Sequence, residues 1–134
     1  MLAVRAGLAS VALLLADGCV RAARGDAPYA EQLGEVLGEG VASYYGGELE
    51  GRRTASGEAF DPSKMTAAHR SLPFGTCLTV INLENQRRVK VRVNDRGPFA
   101  QSRILDLSQA AAARLGMLAA GIARVRLYRC GGPG

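Results

Sequence analysis

Three short polar segments contain the side chains that could carry out chemistry. They are residues 52–58 (RRTASGE), 66–69 (TAAH) and 94–99 (NDRGPF). Carboxyl groups can act as general acids and bases, and an imidazole beside them can orient a carboxylate. The sequence therefore predicts acid–base chemistry from Glu58, Asp95 and His69, provided that the fold brings the three segments together.

Each of these residues also has a plainer interpretation. Asp95 and Arg96 could form a structural ion pair within a turn, and Glu58 could lie on a solvated surface. A single histidine such as His69 is often a structural hydrogen-bonding residue. Asp106 could line the same site, but we expect it to stabilise the fold instead.

Composition limits the class of protein. The chain has 134 residues, one histidine, three cysteines and a formal net charge of +5. Its 48% hydrophobic and 22% charged residues are typical of one globular domain, not of a disordered chain or a coiled coil. So few histidines and cysteines argue against the usual zinc sites, and we expect no metal and no cofactor. The charge is not concentrated in a dense Lys/Arg tract, so we expect no nucleic-acid partner.

The N-terminus is typical of an export signal. Arg5 precedes an apolar run at 6–16, which is too short to cross a membrane as a helix but fits a secretory signal. We expect residues 1–18 to be a signal peptide, Cys19 to receive a lipid as in bacterial lipoproteins, and 19–39 to be a tether. An exported protein with an unmodified Cys19 is the alternative.

Export also affects the interpretation of the other two cysteines. If Cys19 carries a lipid, Cys77 and Cys130 remain as an even pair in an oxidising compartment. A disulfide between them would close a loop of roughly 50 residues and stabilise the fold by about 4 kcal/mol in the chain-entropy model. Two buried free thiols are the alternative.

Most of the chain after residue 40 has the alternation and the glycine-rich turns of short β-strands. The predicted strands are residues 40–46, 77–83, 87–94, 103–107 and 122–129, with a hairpin loop at 84–86. Ser108 offers the N-cap of a short helix over 109–115, which Gly116 would end. Several short strands with one helix predict a small closed barrel.

Seven motifs in order span residues 40–128. They are GVASYYG (40–46), GRRTASGEAFD (51–61), TAAHRSLPFGT (66–76), VINLEN (80–85), VRVNDRGPF (91–99), RILDLSQAAAARLGM (103–117) and GIARVRLY (121–128). Together they resemble the rare lipoprotein A (RlpA) family, whose relatives include expansins. The resemblance implies a mostly β fold, a six-stranded double-psi β-barrel with one short helix, over residues 40–130, followed by a tail at 131–134.

The resemblance also implies an enzyme that acts on peptidoglycan. Family members are endolytic lytic transglycosylases, which cleave between N-acetylmuramic acid and N-acetylglucosamine and leave a 1,6-anhydro end. One carboxyl group can serve first as acid and then as base in this reaction, and we expect Asp95 in that role. Glu58 and His69 are expected beside it as catalytic residues. The expected substrate-binding residues are Tyr44, Tyr45, Thr54 and Arg96.

The expected partners are peptidoglycan glycan strands and a membrane reached through the N-terminal lipid, on the periplasmic side of a bacterial cell envelope. Two alternatives remain open: a non-enzymatic, expansin-like module that binds or loosens the wall, and hydrolysis instead of lytic cleavage. A wall peptidase that uses Cys77 and His69 is disfavoured. Cys77 would open a strand, whereas a helix N-terminus would stabilise a thiolate.

Overall fold

Strands with alternating apolar residues form the wall of the barrel. Along the strand Arg88–Asp95, Val89, Val91 and Val93 are buried while Lys90 is exposed. Successive side chains of a strand point to opposite faces, so the alternation places one face in the core and the other in water.

The computed structural model describes residues 33–131, and these contain six strands and one α-helix. The strands are β1 (Leu33–Tyr44), β2 (Thr66–Ala68), β3 (Cys77–Asn82), β4 (Arg88–Asp95), β5 (Arg103–Leu107) and β6 (Ala123–Cys130). Helix α1 spans Gln109–Arg114, and a single 3-10 turn spans Gly47–Leu49. The strands close into a barrel in the order β1-β5-β2-β4-β3-β6. The predicted mostly β fold, a six-stranded barrel with one short helix, is confirmed.

Residues 1–32 and 132–134 lie outside the described part of the chain. The predicted signal peptide, the lipid site at Cys19, most of the predicted tether and most of the predicted tail fall there. In the described range, no helix combines the length and the apolar character that crossing a membrane requires.

Helix α1 begins at the predicted residue and ends one residue earlier than predicted, at Arg114. It packs against the barrel core through Ala111 and Ala112, which are fully buried. The Ser108 hydroxyl accepts a hydrogen bond from the Ala111 N–H at 3.2 Å, which satisfies one free donor of the first turn. Gly116 follows the helix with φ at +71°, a backbone conformation that side-chain-bearing residues rarely adopt.

Strand β1 begins earlier than predicted, at Leu33, so residues 33–39 are strand and not tether. This first half pairs antiparallel with β6, and the Glu39 carboxylate forms ion pairs with Arg124 and Arg126. The glycines and outward-facing glutamates of this segment obscure the strand pattern. The arginines that pair with the glutamates lie on a distant strand, so local periodicity could not reveal them.

The predicted strands leave out the polar segment at residues 66–69, but this segment contains strand β2, which corrects the prediction. Thr66–Ala68 are all buried, and they pair parallel to β4 and antiparallel to β5. Three small buried residues are too short a run to show alternation, so the sequence pattern could not distinguish this strand from a loop.

The register of the barrel places two carboxyl groups in one row. Ala68 of β2 lies opposite Asp95 of β4 on one side and opposite Asp106 of β5 on the other. Asp106 in turn lies opposite Ser43 of β1. Neighbouring strands are about 4.8 Å apart, so the Cα atoms of the two aspartates are separated by roughly 10 Å across the small Ala68.

A disulfide joins Cys77 at the start of β3 to Cys130 at the end of β6, with their Cα atoms 5.4 Å apart. This is the predicted pairing, and the alternative of two free thiols is wrong. Because its sulfur is committed to the disulfide, Cys77 is not available as the nucleophile of a Cys–His peptidase.

Candidate active site

Asp95 ends strand β4, and three donors hold its carboxylate. Oδ1 accepts hydrogen bonds from the backbone N–H groups of Ala55 (2.9 Å) and Arg96 (2.8 Å). Oδ2 accepts one from the Tyr45 hydroxyl at 2.9 Å. A carboxylate offers about four lone-pair sites, so one site on Oδ2 remains for a proton or a ligand. The half-buried group is therefore both oriented and accessible.

Tyr45 comes directly after β1 and donates to Asp95 from a half-buried position. Its backbone N–H bonds to the Leu107 carbonyl at 2.9 Å, and its ring packs edge-on against Phe60 with ring centroids 5.0 Å apart. Burial, followed by the hydrogen bond to Asp95, raises the pKa of Tyr45 well above its usual value. The phenol therefore remains a donor throughout the neutral pH range.

Two concavities meet at Tyr45 and Asp95. The first, here called the arginine lobe, has a volume of about 230 Å³ and is lined on its own side by Leu49, Arg52, Arg53, Thr54 and Phe60. The second, here called the Phe99 lobe, has a volume of about 460 Å³ and is lined by residues 96–100 with Ala55, Arg103 and Asp106. A ligand that occupied both lobes would cross the Asp95 carboxylate.

The loop after residue 51 folds back on itself and carries one wall of the arginine lobe. Arg53 and Ala59 form an antiparallel bridge, and the Thr54 N–H donates to the Glu58 carbonyl at 2.8 Å. The Thr54 hydroxyl donates to the same carbonyl at 2.8 Å. Thr54, an expected substrate-binding residue, thus lines the lobe while its hydroxyl stabilises the loop that presents the Ala55 N–H to Asp95.

Glu58 forms an ion pair on the barrel surface. Its two carboxylate oxygens accept bidentate hydrogen bonds from Arg92, each at 2.8 Å, and one accepts from the Asn94 amide at 3.3 Å. The Arg92 guanidinium, and to a lesser degree the Asn94 amide, lower the pKa of Glu58 to about 2. Glu58 is absent from the described residues that line the two lobes. The expected catalytic contact with Asp95 is not seen, and we assign Glu58 a positioning role between its loop and β4.

Glu58→Gln is expected to lower the free energy of unfolding at pH 7 by about 1 kcal/mol or less, since the ion pair is largely exposed. The folded-state pKa of Glu58 lies below its ordinary value of 4.5, so the ion pair stabilises the fold fully above that pH. Its contribution is lost as pH falls toward 2. Urea unfolding at neutral and acid pH measures this loss of stability. Arg92→Gln removes the other partner of the same ion pair and should show the same pH dependence. A difference between Glu58→Gln and wild type that did not shrink in acid would contradict the assignment.

His69 follows β2 and stabilises the adjacent turn. Its Nδ1 accepts hydrogen bonds from the backbone N–H groups of Ser71 (3.1 Å) and Leu72 (3.2 Å), and the His69 backbone N–H donates to the Asp95 backbone carbonyl at 3.1 Å. Burial, and then the charges of nearby arginines, lower the pKa of His69. A neutral ring with Nδ1 occupied suits a structural role, and in the described chain His69 lines neither lobe. These contacts support a positioning role for His69, and its expected catalytic role stays a prediction.

Arg96 points its guanidinium away from the Asp95 carboxylate. Its Nη1 donates to the carbonyls of His69 (3.1 Å) and Leu72 (2.8 Å), and its Cζ lies 4.1 Å from the centroid of the Phe74 ring. The alternative of an Asp95–Arg96 ion pair is therefore not seen, because Asp95 accepts from the Arg96 backbone N–H and not from its guanidinium. Arg96 borders the Phe99 lobe, but these contacts leave it mainly a positioning residue.

Tyr44 differs from Tyr45 because successive residues of an extended chain point in opposite directions. Tyr44 packs against the hydrophobic core, and its hydroxyl donates to the Leu118 carbonyl at 3.0 Å. Within the described residues Tyr44 lines neither lobe, whereas Tyr45 lines both, and a substrate-binding role for Tyr44 stays a prediction.

Three residues of the Phe99 lobe were not among the expected site residues. Asp106, for which a fold-stabilising role was preferred, accepts a hydrogen bond from Ser43 Oγ at 2.5 Å and also lines the lobe. Arg103 lies beside it, with Nε 3.4 Å from Asp106 Oδ1. The Phe99 side chain is 87% exposed. An aromatic residue directly after Gly97-Pro98 was a usable signal for the last of these; the other two required the strand register.

The six strands form a closed barrel in which β1 pairs parallel with β5 and β2 pairs parallel with β4, as in a double-psi β-barrel. The carboxylate of Asp95 lies between two open lobes, an arrangement that can take an extended ligand. The family described as lytic transglycolase matches residues 38–127. The chain belongs to this family, and both the predicted RlpA resemblance and the double-psi β-barrel are confirmed.

Curated relatives carry the corresponding name. The chain is 56% identical over 97 residues to a probable endolytic peptidoglycan transglycosylase RlpA from Treponema pallidum, covering 72% of this chain and 30% of the relative. It is 49% identical over 100 residues to the endolytic peptidoglycan transglycosylase RlpA of Campylobacter jejuni, covering 75% of this chain and 36% of the relative. The chain thus spans about a third of the length of these relatives.

Solved structures share the barrel. The Streptomyces papain inhibitor is 25% identical with a TM-score of 0.57, covering 72% of this chain and 94% of the inhibitor. A mutant expansin of Clavibacter michiganensis, solved in complex with cellohexaose, is also 25% identical with a TM-score of 0.57, covering 72% of this chain and 51% of the expansin.

Proposed function

We propose that the protein is an endolytic lytic transglycosylase that cleaves peptidoglycan glycan strands, with Asp95 as general acid and base. The observation that carries the proposal is the position of the Asp95 carboxylate where two open lobes meet, with one lone-pair site unoccupied by protein donors. A cut within a polymer needs a groove that is open on both sides of the reacting group. The names of the relatives support the choice of peptidoglycan as the polymer.

The reaction requires a single carboxyl group. In its acid form Asp95 gives its proton to O4 of the N-acetylglucosamine that leaves, and the bond between this oxygen and C1 of N-acetylmuramic acid breaks. The resulting carboxylate then takes the proton of the muramyl 6-hydroxyl while O6 bonds to C1. The product has a 1,6-anhydro end, Asp95 regains its proton, and no water is consumed.

Incubation of the purified full chain with isolated glycan strands tests the proposal through the mass of the products. Lytic cleavage gives muramyl ends that are lighter by one water molecule than the ends produced by hydrolysis. Hydrolytic ends would replace the lytic mechanism, and strands left intact would contradict both.

A non-enzymatic, expansin-like function is the second candidate, and the likeness to the expansin solved with cellohexaose favours it. Such a module would use the same groove without proton transfer. This candidate would be supported if the protein, at concentrations that saturate the strands, bound them but produced no new chain ends.

We further propose that the protein works in the bacterial cell envelope, anchored through a lipid on Cys19. An anchor of this kind would keep the barrel beside peptidoglycan. Metabolic labelling with a fatty acid, compared between wild type and Cys19→Ala, tests the anchor. Equal labelling of both proteins would contradict it.

Tyr45→Phe is expected to lower kcat by about 10- to 100-fold with little change in KM. The variant loses a hydrogen bond to a charged group, which typically contributes about 1.5–3 kcal/mol, and with it the orientation of Asp95. Tyr44→Phe loses a comparable hydroxyl bond to the Leu118 carbonyl, and it should keep wild-type turnover. Steady-state rates on glycan strands measure both variants. An equal fall in kcat for Tyr45→Phe and Tyr44→Phe would show that Tyr45 has only a structural role.

A further inference from the structure

The two lobes beside Asp95 differ in charge. In the arginine lobe Arg52 and Arg53 are exposed, and none of the ion pairs formed within residues 33–131 involves either of them. Arg53 uses Nη1 to bond the Gly57 carbonyl at 2.7 Å, which leaves its other donors for a ligand. This lobe therefore presents free positive charge.

The Phe99 lobe has little free charge. Arg96 is occupied by backbone carbonyls and the Phe74 ring, and Arg103 lies beside the Asp106 carboxylate. What the lobe offers instead is the exposed ring of Phe99, next to Pro98 and Ala100. Apolar and aromatic linings of this kind accept the apolar face of a ligand.

The two sugars of the proposed substrate differ in the same way. N-acetylmuramic acid bears a carboxylate, either on its own lactyl group or on an attached peptide, whereas N-acetylglucosamine is neutral and has no bulky ether on its ring. The forked guanidinium group matches a carboxylate with two parallel hydrogen bonds. An aromatic ring suits a neutral sugar with an unobstructed face.

We propose that the groove binds glycan strands in one direction only. Arg52 and Arg53 hold the muramyl carboxylate in the arginine lobe, and the N-acetylglucosamine that leaves lies on Phe99. The reducing end of the strand then extends past Phe99. This inference rests on the proposed function, because lytic cleavage places the muramyl residue on the non-reducing side of the broken bond.

The direction is measurable by NMR with the full-length Asp95→Asn variant, which should bind strands without cutting them. A short glycan strand that carries a spin label at its reducing end should broaden the amide signals of residues 99–100 and leave those of residues 52–53 sharp. A label at the non-reducing end should do the reverse. Broadening of the opposite pair, or equal broadening of both, overturns the inference.

The source of the carboxylate is tested by binding of the double variant Arg52→Gln/Arg53→Gln, again with Asp95→Asn. If the double variant binds strands without peptides about tenfold more weakly or worse, the lactyl group supplies the carboxylate. If its affinity falls only for peptide-bearing strands, the peptide supplies it. Chitin oligomers, which lack carboxylates, should bind unchanged, and Arg88→Gln on the exposed face of β4 is the matched control. An equal loss of affinity for chitin, or unchanged affinity for both kinds of strand, overturns the assignment of Arg52 and Arg53 to the carboxylate.

These binding measurements are independent of turnover. If the wild-type protein forms no anhydro product but the label shows the expected direction, the proposed enzyme activity fails and the orientation stands. If product forms while the label shows the opposite direction, only the orientation fails.

Discussion

Asp95→Asn is expected to abolish formation of anhydro-muramyl product, with kcat/KM lower by about a thousandfold or more. The amide has nearly the same shape as the carboxyl group, and its oxygen can still accept from the N–H groups of Ala55 and Arg96. It cannot, however, give a proton to the leaving oxygen or take one from the 6-hydroxyl. Rates on isolated glycan strands, followed by mass spectrometry of the ends, measure the loss.

Asp61→Asn is the matched control for this substitution. Asp61 is also a loop aspartate, but its Oδ1 accepts from the N–H and hydroxyl of Ser63, and it is not among the described residues that line either lobe. Its replacement should leave turnover near the wild-type rate. Both variants should still bind strands, which separates loss of chemistry from loss of binding. Substantial turnover by Asp95→Asn would remove Asp95 from the mechanism.

The elements that sequence pattern located correctly are those with a local signal. The valines of β4 alternate with charged residues, and Ser108 and Gly116 mark the two ends of α1. Strand β2 and the first half of β1 have no such signal. The former is stabilised by parallel pairing with β4, and the latter by ion pairs between Glu39 and arginines of β6. Strand β2 and the first half of β1 thus depend on residues that are distant in the sequence, and local periodicity cannot predict such contacts.

The same distinction applies to the candidate site. A carboxylate at the end of a strand followed by Gly97-Pro98 was predictable, because the turn must lie at the mouth of the barrel. The partners of Glu58 and His69 were not. Glu58 lies within reach of Arg92 only through the fold of its loop, and His69 Nδ1 is occupied by the turn that follows it. The sequence thus indicated the segments of the candidate site, whereas the contacts of Glu58 and His69 depend on the fold.

The position of Asp106 shows what only the register supplies. Eleven positions separate it from Asp95 in the sequence, yet both lie opposite Ala68 and both line the Phe99 lobe. A second carboxylate near the first strengthens the negative field at the site. Burial and the Asp95 hydrogen bond raise the pKa of Tyr45 most, and the charge of Asp106 adds to that effect.

Removal of the disulfide is expected to have the largest effect on stability. Cys77 and Cys130 are separated by 53 positions, and a loop of this length corresponds to about 4 kcal/mol in the chain-entropy model. For a domain of this size the double variant Cys77→Ser/Cys130→Ser should melt about 15–30 °C below wild type. The cross-link fastens β3 to β6 at one seam of the barrel, and it contacts neither lobe in the described structure.

Thermal unfolding with and without a reductant provides the control for this prediction. Reductant should lower the melting temperature of the wild-type protein toward that of the double variant and leave the variant unchanged, because only the wild type has a bond to lose. Turnover measured well below both transitions should be the same for the two proteins, since Tyr45 and Asp95 keep their hydrogen bond whether or not the seam is cross-linked. Equal melting temperatures under oxidising conditions would show that pairing between β3 and β6 alone closes the barrel.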